Sequence, residues 1–323
     1  MPQSIHLEFT IPATLRGTRL DLALAELVPD YSRSRLQQWI RAGYITVDAR
    51  VPQVRERVQG GEAVLIEAEV IESTVNQPEP IPLDVVYADA DLLVINKAAG
   101  LVVHPAAGNP AGTLLNALLH YDATLAGLPR GGIVHRLDKG TSGLMVVARN
   151  LTAHKHLVEA LQARVVKREY LAVVQTVLTA GGRIDAPLGR HPVDRKRMAV
   201  VPGGKEAITH YRVVERYRAH TLVRVRLETG RTHQIRVHMA HMHTPVVGDP
   251  VYGGRLRLPA GAGEEVRTLL ANFKRQALHA AHLELVHPGT GASIGWDAAV
   301  PADMAALIAA LQHDAGTAAG RHD

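Results

Sequence analysis

The sequence predicts an α+β protein, with a mixed, largely antiparallel sheet in its main domain and a small α/β unit ahead of it. Three observations carry this. Strand-like and helix-like runs are intermixed without the strand–helix–strand repeat of a parallel sheet. Residues 72–82 (ESTVNQPEPIP) are rich in Pro and Glu, lack periodicity and read as a boundary. Before that boundary, leucines recur at helical spacing; after it, short apolar strands dominate. The expected division is therefore residues 1–75, a linker at 76–82, a main domain at 83–313 and a disordered tail at 314–323.

The N-terminal LEFTIP reads as a lead-in strand. Leu20, Leu24 and Leu27 mark one helix, and Leu36, Trp39 and Ile40 mark a second. Ser32 or Ser34 is the expected cap of the second helix, and Arg33, Arg35 and Arg41 fall on or near its exposed side. GYITV and AVLIEA close the unit as short strands. Asp48-Ala49 lies after the first of them, and a wide turn is expected there, because Ala disfavours positive φ. In the main domain VVYAD, LLVINK, Tyr170 to Val174 and the alternation Val223, Val225, Leu227 read as strands. Thr113 to Tyr121 and Leu151 to Ala163 read as helices. Residues 181–205 form a Gly-, Pro- and Arg-rich stretch, expected to be a long irregular loop with Arg190, Arg195, Lys196 and Arg197 on phosphates.

Composition narrows the function. The 323 residues carry a net charge of +5, which favours a polyanionic partner. There is no cysteine. Disulfides, thiolate zinc sites and cysteine nucleophiles are excluded, including the thiolate that activates pyrimidine C5 for methylation. No apolar run is long enough to span a membrane, and a cytoplasmic location is expected. His233, His238, His241 and His243 cluster around one helix, but His243 falls roughly opposite His241, so no metal site is expected. Two Phe and two Trp are too few for a multi-base stacking platform. No Walker loop, GxGxxG or HExxH occurs, and no cofactor is expected.

The densest polar cluster lies in GGIVHRLDKGTSGLMVVAR, residues 131–149. His135, Arg136, Asp138, Lys139, Thr141 and Ser142 precede Leu144 to Val147, a continuous apolar run that reads as a strand buried on both faces. A carboxylate beside Arg136 in a turn feeding such a strand is a candidate for chemistry. HRLD followed by TSG and a strand resembles the catalytic motif of the RluA-type pseudouridine synthases. DLLVINKAAGLVVHP (91–105), KREYLAVV (167–174) and LETGRTHQIRVHMAH (227–241) match the same family in order. The likeness continues through VVGDPVYGG and RQALHAAHLELVHP, and is nearest to the branch that modifies the large ribosomal subunit. Residues 16–70 resemble an S4 RNA-binding domain. Two departures stand out: S4 domains usually have Asn-Gly where this chain has Asp48-Ala49, and Gly140 replaces a residue with a side chain.

The resemblance implies a pseudouridine synthase fold and isomerisation of uridine in 23S rRNA, at the helix 69 stem-loop, with rRNA or the large-subunit particle as partner; a monomer is expected because no oligomerisation stripe is evident in the sequence. It makes Asp138 the nucleophile or electrostatic partner at the ribose. Arg231 is the implied cation paired with Asp138, and Tyr170 the residue packing on the target base. Arg136 is implied to enter the RNA helix as the nucleotide flips, with His135 and Lys97 also at the RNA and Asn96 in support. Three other readings compete: the same reaction at another rRNA or tRNA site, a non-catalytic RNA-binding assembly factor, and a glycoside hydrolase. The last needs a second acid, and Glu169, next to Tyr170, should face the other side of its strand.

Overall fold

The computed structural model describes residues 3–29, 31, 33–70, 77–106 and 108–319. The chain divides into two compact units, residues 1–75 and 76–323. In the first, β1 (Gln3–Thr10), β2 (Ile45–Val47) and β3 (Ala63–Val70) form an antiparallel sheet with β3 in the centre. Helices α1 (Leu20–Leu27) and α2 (Arg33–Ala42) pack beside it. Leu20, Leu24, Leu36, Trp39 and Ile40 fill the core with Ile45, Val64 and Ile66, following the helical and strand periods of the sequence. Ser32 and the Ser34 side chain, the expected caps of α2, lie outside the described residues.

The Asp48-Ala49 turn is tight, not wide. Both residues have positive φ, 47° and 60°, and Val47 and Arg50 exchange backbone hydrogen bonds of 2.9 and 3.0 Å. That is the two-residue hairpin geometry usually given to Asn-Gly. The Asp48 carboxylate accepts from the Ala63 amide at 2.9 Å, which anchors a conformation that Ala49 disfavours.

The second unit begins with β4 (Val85–Ala88) and β5 (Leu92–Lys97), then α3 (Leu114–Tyr121), β6 (Ser142–Ala148), α4 (Leu151–Gln162) and β7 (Lys167–Val174). Next come β8 (Gly182–Asp185), β9 (Leu188–Arg190), β10 (Met198–Val200), β11 (Ile208–Arg216) and β12 (Thr221–Leu227). The chain ends with α5 (Gln234–His241), α6 (Glu264–Asn272), β13 (Leu278–Val286), β14 (Ser293–Asp297) and α7 (Ala302–Ala319). Nine strands share one sheet in the order β4-β5-β6-β13-β7-β12-β11-β8, with β14 also paired to β13. Only β6 and β13 pair in parallel, so the sheet is mixed and largely antiparallel.

Strand β6 is buried along its whole length. Leu144 and Val146 pack with Ala153 and Leu157 of α4 on one face. Met145 and Val147 pack with Leu114, Leu115 and Leu118 of α3 on the other. A strand covered on both sides has no face for polar residues, which explains the continuous apolar run. At its start, Gly143 has φ 115°, and a β-carbon there would lie 2.2 Å from the Ala280 carbonyl oxygen. Only glycine lets β13 approach this closely.

Three boundaries differ from expectation. The tail is helical to Ala319, because Leu307, Ala310 and Leu311 continue into the core and Asp314 holds Arg218. Within the expected linker, Glu79 bonds the Asn116 carbonyl and the Gly112 amide, and Gln77 accepts from Asn116, fastening this stretch to α3. Residues 71–76 of the boundary lie outside the described residues. The basic stretch is not irregular: it contains β8, and β9 pairs with β10 as a short ribbon.

Candidate active site

One cavity of about 900 Å³ opens in the second unit between the loop before β6, the start of β7 and the entry to α5. Six arginines line it (130, 136, 164, 168, 231 and 236) against two carboxylates, Asp138 and Glu228. A wall of this sign attracts a polyanion. The loop carrying Asp138 is clamped from behind. Lys97 Nζ donates to the carbonyls of Ala98, Leu101 and Lys139, and the Gly100 amide donates to Lys139 O. Arg275 reaches Gly140 O at 3.3 Å, and Gln276 donates to Thr141 Oγ at 2.9 Å. Ser142 bonds the His279 ring at 2.9 Å. The polar cluster of the sequence is thus mostly scaffold, and it presents one carboxylate.

Asp138 Oδ2 accepts from Arg236 Nη1 at 2.9 Å, and its Oδ1 lies 3.8 Å from His233 Nε2. Arg236 is itself buried. Its Nε and Nη2 grip Asp249 at 2.6 and 2.9 Å, and its guanidinium lies 5.0 Å from the centre of the Tyr252 ring. Burial works against its charge, but the two carboxylates outweigh that and hold its pKa above the ordinary value. For Asp249, burial is the largest influence and pushes upward, yet Arg236 and two backbone amides bring the carboxyl below its usual range. His233, left-handed at φ 58°, starts α5 and donates or accepts with Tyr252 Oη at 2.9 Å. Tyr170 lines the same cavity, and burial, with some help from Asp138, raises its pKa.

A family model described as RNA pseudouridylate synthase matches residues 91–241, and an S4 domain model matches 18–64. A ribosomal large subunit pseudouridine synthase D from Yersinia pestis is 56% identical over 315 residues, covering 97% of each chain. The protein of the same name from Escherichia coli K12 is 54% identical over the same shares. The chain belongs to the RNA pseudouridylate synthase family. Its fold agrees: human RNA Pseudouridylate Synthase Domain Containing 4 aligns with TM-score 0.57 at 25% identity, over 71% of this chain and 93% of its own. The Domain Containing 1 protein aligns at TM-score 0.53 and 26% identity, over 70% and 84%.

In this pseudouridine synthase several expected residues lie elsewhere. Arg236, not Arg231, holds Asp138. Arg231 precedes α5 and lines the cavity, but its Nε meets the Glu206 carbonyl at 3.0 Å rather than Asp138. Arg236 shares a helical face with His233, three residues back, and that face looks at Asp138. The sequence reading missed Arg236 and Asp249, although both lie in quoted motifs. The available signal was a second arginine inside the same motif, flanked by residues that all bury.

Lys97 and His135, expected at RNA, face inward. Lys97 is 2% exposed, and burial lowers its pKa to about 8 despite Asp138. His135 Nε2 accepts from the Val146 amide, and burial lowers its pKa to about 3. Gly140 avoids a clash, since a β-carbon there would lie 2.6 Å from Gln276 Oε1. Arg136 is exposed at the cavity rim. Arg195 and Lys196 are exposed beyond the β9–β10 ribbon, while Arg197 turns in over Tyr252 at 5.2 Å. In the first unit Arg41 is exposed, Arg35 lies 5.9 Å over Trp39 and Arg33 is bonded to Asp21. His238 is held by Thr209 and the Ala186 carbonyl, so it serves the helix packing.

Proposed function

We propose that this enzyme isomerises uridine to pseudouridine in 23S rRNA, at the helix 69 stem-loop, with Asp138 acting at C1′ of a flipped-out uridine. The observation that carries the reading is Asp138 itself. It takes one hydrogen bond from Arg236, one oxygen is left to the cavity, and Tyr170 lines the same space. The relatives' names, ribosomal large subunit pseudouridine synthase D, support the substrate class. Arg236 places a guanidinium 2.9 Å from this carboxylate, a charge-assisted contact that fixes its direction. The cationic rim, with Arg136, suits phosphates around an extruded nucleotide, because C1′ and C5 are shielded in a stack. Tyr170, neutral through burial, offers a flat apolar wall to the base and a hydroxyl for proton movement.

The test is pseudouridine mapping of rRNA and tRNA from cells lacking the protein, complemented with wild type or Asp138→Ala. Loss in the 23S helix 69 region, restored by wild type alone, is the expected result. Loss confined to another RNA would keep the reaction and overturn the target. Full restoration by Asp138→Ala would favour a binding factor over a catalyst.

A further inference from the structure

Arg168 stands out among the cations of the cavity. It is 8% exposed, yet among the described residues it makes no hydrogen bond and no ion pair, and its Nε is buried without a partner. The other inward cations are engaged: Arg236 on Asp138 and Asp249, and Lys97 on three carbonyls. An unpaired guanidinium with its Nε buried is unfavourable unless an anion in the cavity joins it. Arg168 and Tyr170 alternate onto one face of β7, while Glu169 between them pairs with Arg224 on the other face. Arg168 therefore lies in the cavity wall beside the residue expected against the base. Gly230 covers it: a β-carbon there would lie 2.9 Å from Arg168 Nη1.

We propose that Arg168 is a further catalytic residue, whose guanidinium receives the negative charge of the uracil as the base leaves C1′. This rests on the reaction proposed above. When the C1′–N1 bond breaks, its electron pair stays on the base, and the charge spreads over N1, O2 and O4. Asp138 takes up the electron-poor sugar, either by bonding C1′ or by aiding loss of the C2′ proton. After the base turns, C5 bonds C1′, in the first route breaking the Asp138–C1′ bond and freeing the carboxylate, and the C5 proton passes to N1, so no atom is gained or lost. In the second route the C2′ proton returns. The anion exists only between bond breaking and bond making, so a fixed cation at that place favours the transition state over bound uridine. A phosphate is the other candidate anion, but the exposed Arg136 at the cavity rim suits a phosphate better than the mostly buried Arg168 does.

The experiment compares single-turnover rates of the full-length enzyme on a 23S stem-loop carrying uridine or 5-fluorouridine at the target. Fluorine stabilises the departing anion, so that substrate needs the cation less. Arg168→Met should slow uridine conversion by about 10²-fold and fluorouridine cleavage by about tenfold or less, with Arg168→Lys between. RNA affinity should stay within about twofold of wild type, whereas a phosphate contact would weaken it. Gly230→Ala crowds the same guanidinium without removing it, and should show the same substrate dependence should Arg168→Met not fold. Equal losses on both substrates, or a loss confined to RNA binding, would overturn the role of Arg168. Failure of the wild type to form pseudouridine would instead overturn the underlying reaction.

Discussion

Each unit of the chain carries an aspartate beside arginine, and the two are built differently. Asp21, in the first unit, has a side chain with 0% exposure. It accepts from Arg19 twice, from Arg33 and from Gln37, at 2.6 to 3.0 Å. Asp138, in the second unit, is 16% exposed and takes one guanidinium hydrogen bond at 2.9 Å. A buried carboxylate held on both oxygens is a cross-link, and its oxygens are unavailable for attack. One held by a single cation is fixed in direction and keeps an oxygen for substrate. Asp249, gripped on both oxygens, belongs with Asp21 in this respect and serves to aim Arg236. An Asp–Arg pair is thus informative only once its unused bonding capacity is known.

The largest expected effect comes from cutting the link between the two kinds of carboxylate. Arg236→Met should leave Asp249 buried without its cation, destabilising the second unit by about 3–5 kcal/mol, and should abolish most activity. Arg231→Ala should change the rate at saturating RNA by less than about threefold, because it removes a carbonyl contact in the cavity wall and leaves the cation on Asp138 in place. Urea titrations and single-turnover rates measure both. Each unit holds one tryptophan, Trp39 and Trp296, so fluorescence of single-tryptophan variants separates them. Comparable losses from the two substitutions would break the distinction.

Acid should also separate the units. His135 and His104, both mainly through burial, titrate at about 3 and about 4 in the folded state, below their ordinary 6.5. Folded protein then binds fewer protons than unfolded protein, so their contribution is complete above 6.5 and is lost as pH falls toward those values. Residues 1–75 contain one histidine, the exposed His6. Their lowered groups are the carboxyls of Glu56 and Asp21. Arg50 is the main cause for Glu56. For Asp21, burial pushes upward but is outweighed by the donors Arg33, Arg19 and Gln37. Their contribution persists above 4.5 and is lost below it. The Trp296 signal should lose stability from pH 6.5 downward and the Trp39 signal only below 4.5; simultaneous loss would contradict this. The smallest expected effect is at the hairpin. Ala49→Gly should raise stability by about 0.5–1 kcal/mol, seen as a higher urea midpoint for Trp39, since it relieves the positive φ.

Much of the catalytic unit was legible because burial leaves a period in the sequence. The unbroken apolar run of β6 announced a strand covered on both faces, and alternation along β7 placed Glu169 away from Tyr170. The choice between Arg231 and Arg236 was not legible, since it depends on where a helix begins. His233 adopts φ 58° and starts α5 at Gln234, which turns Arg236 inward and leaves Arg231 on the loop. Histidine is enriched among left-handed residues, but such residues are only a few per cent of the total, so the preference is too weak to single out His233. The Asp48-Ala49 turn was missed for a related reason: pairing of β2 and β3, and the Asp48 bond to Ala63, impose a backbone that local preference argues against.

The most direct measurement pairs Asp138→Asn with Asp21→Asn, following pseudouridine formation at saturating 23S stem-loop RNA together with the stability of each unit. Asp138→Asn should retain its fold and lose on the order of 10⁴-fold or more in rate. Asp21→Asn should keep its rate and lose about 1–3 kcal/mol in the first unit. An active Asp138→Asn enzyme, or a well-folded Asp21→Asn enzyme that is catalytically dead, would contradict the assignment of reaction to the half-satisfied carboxylate.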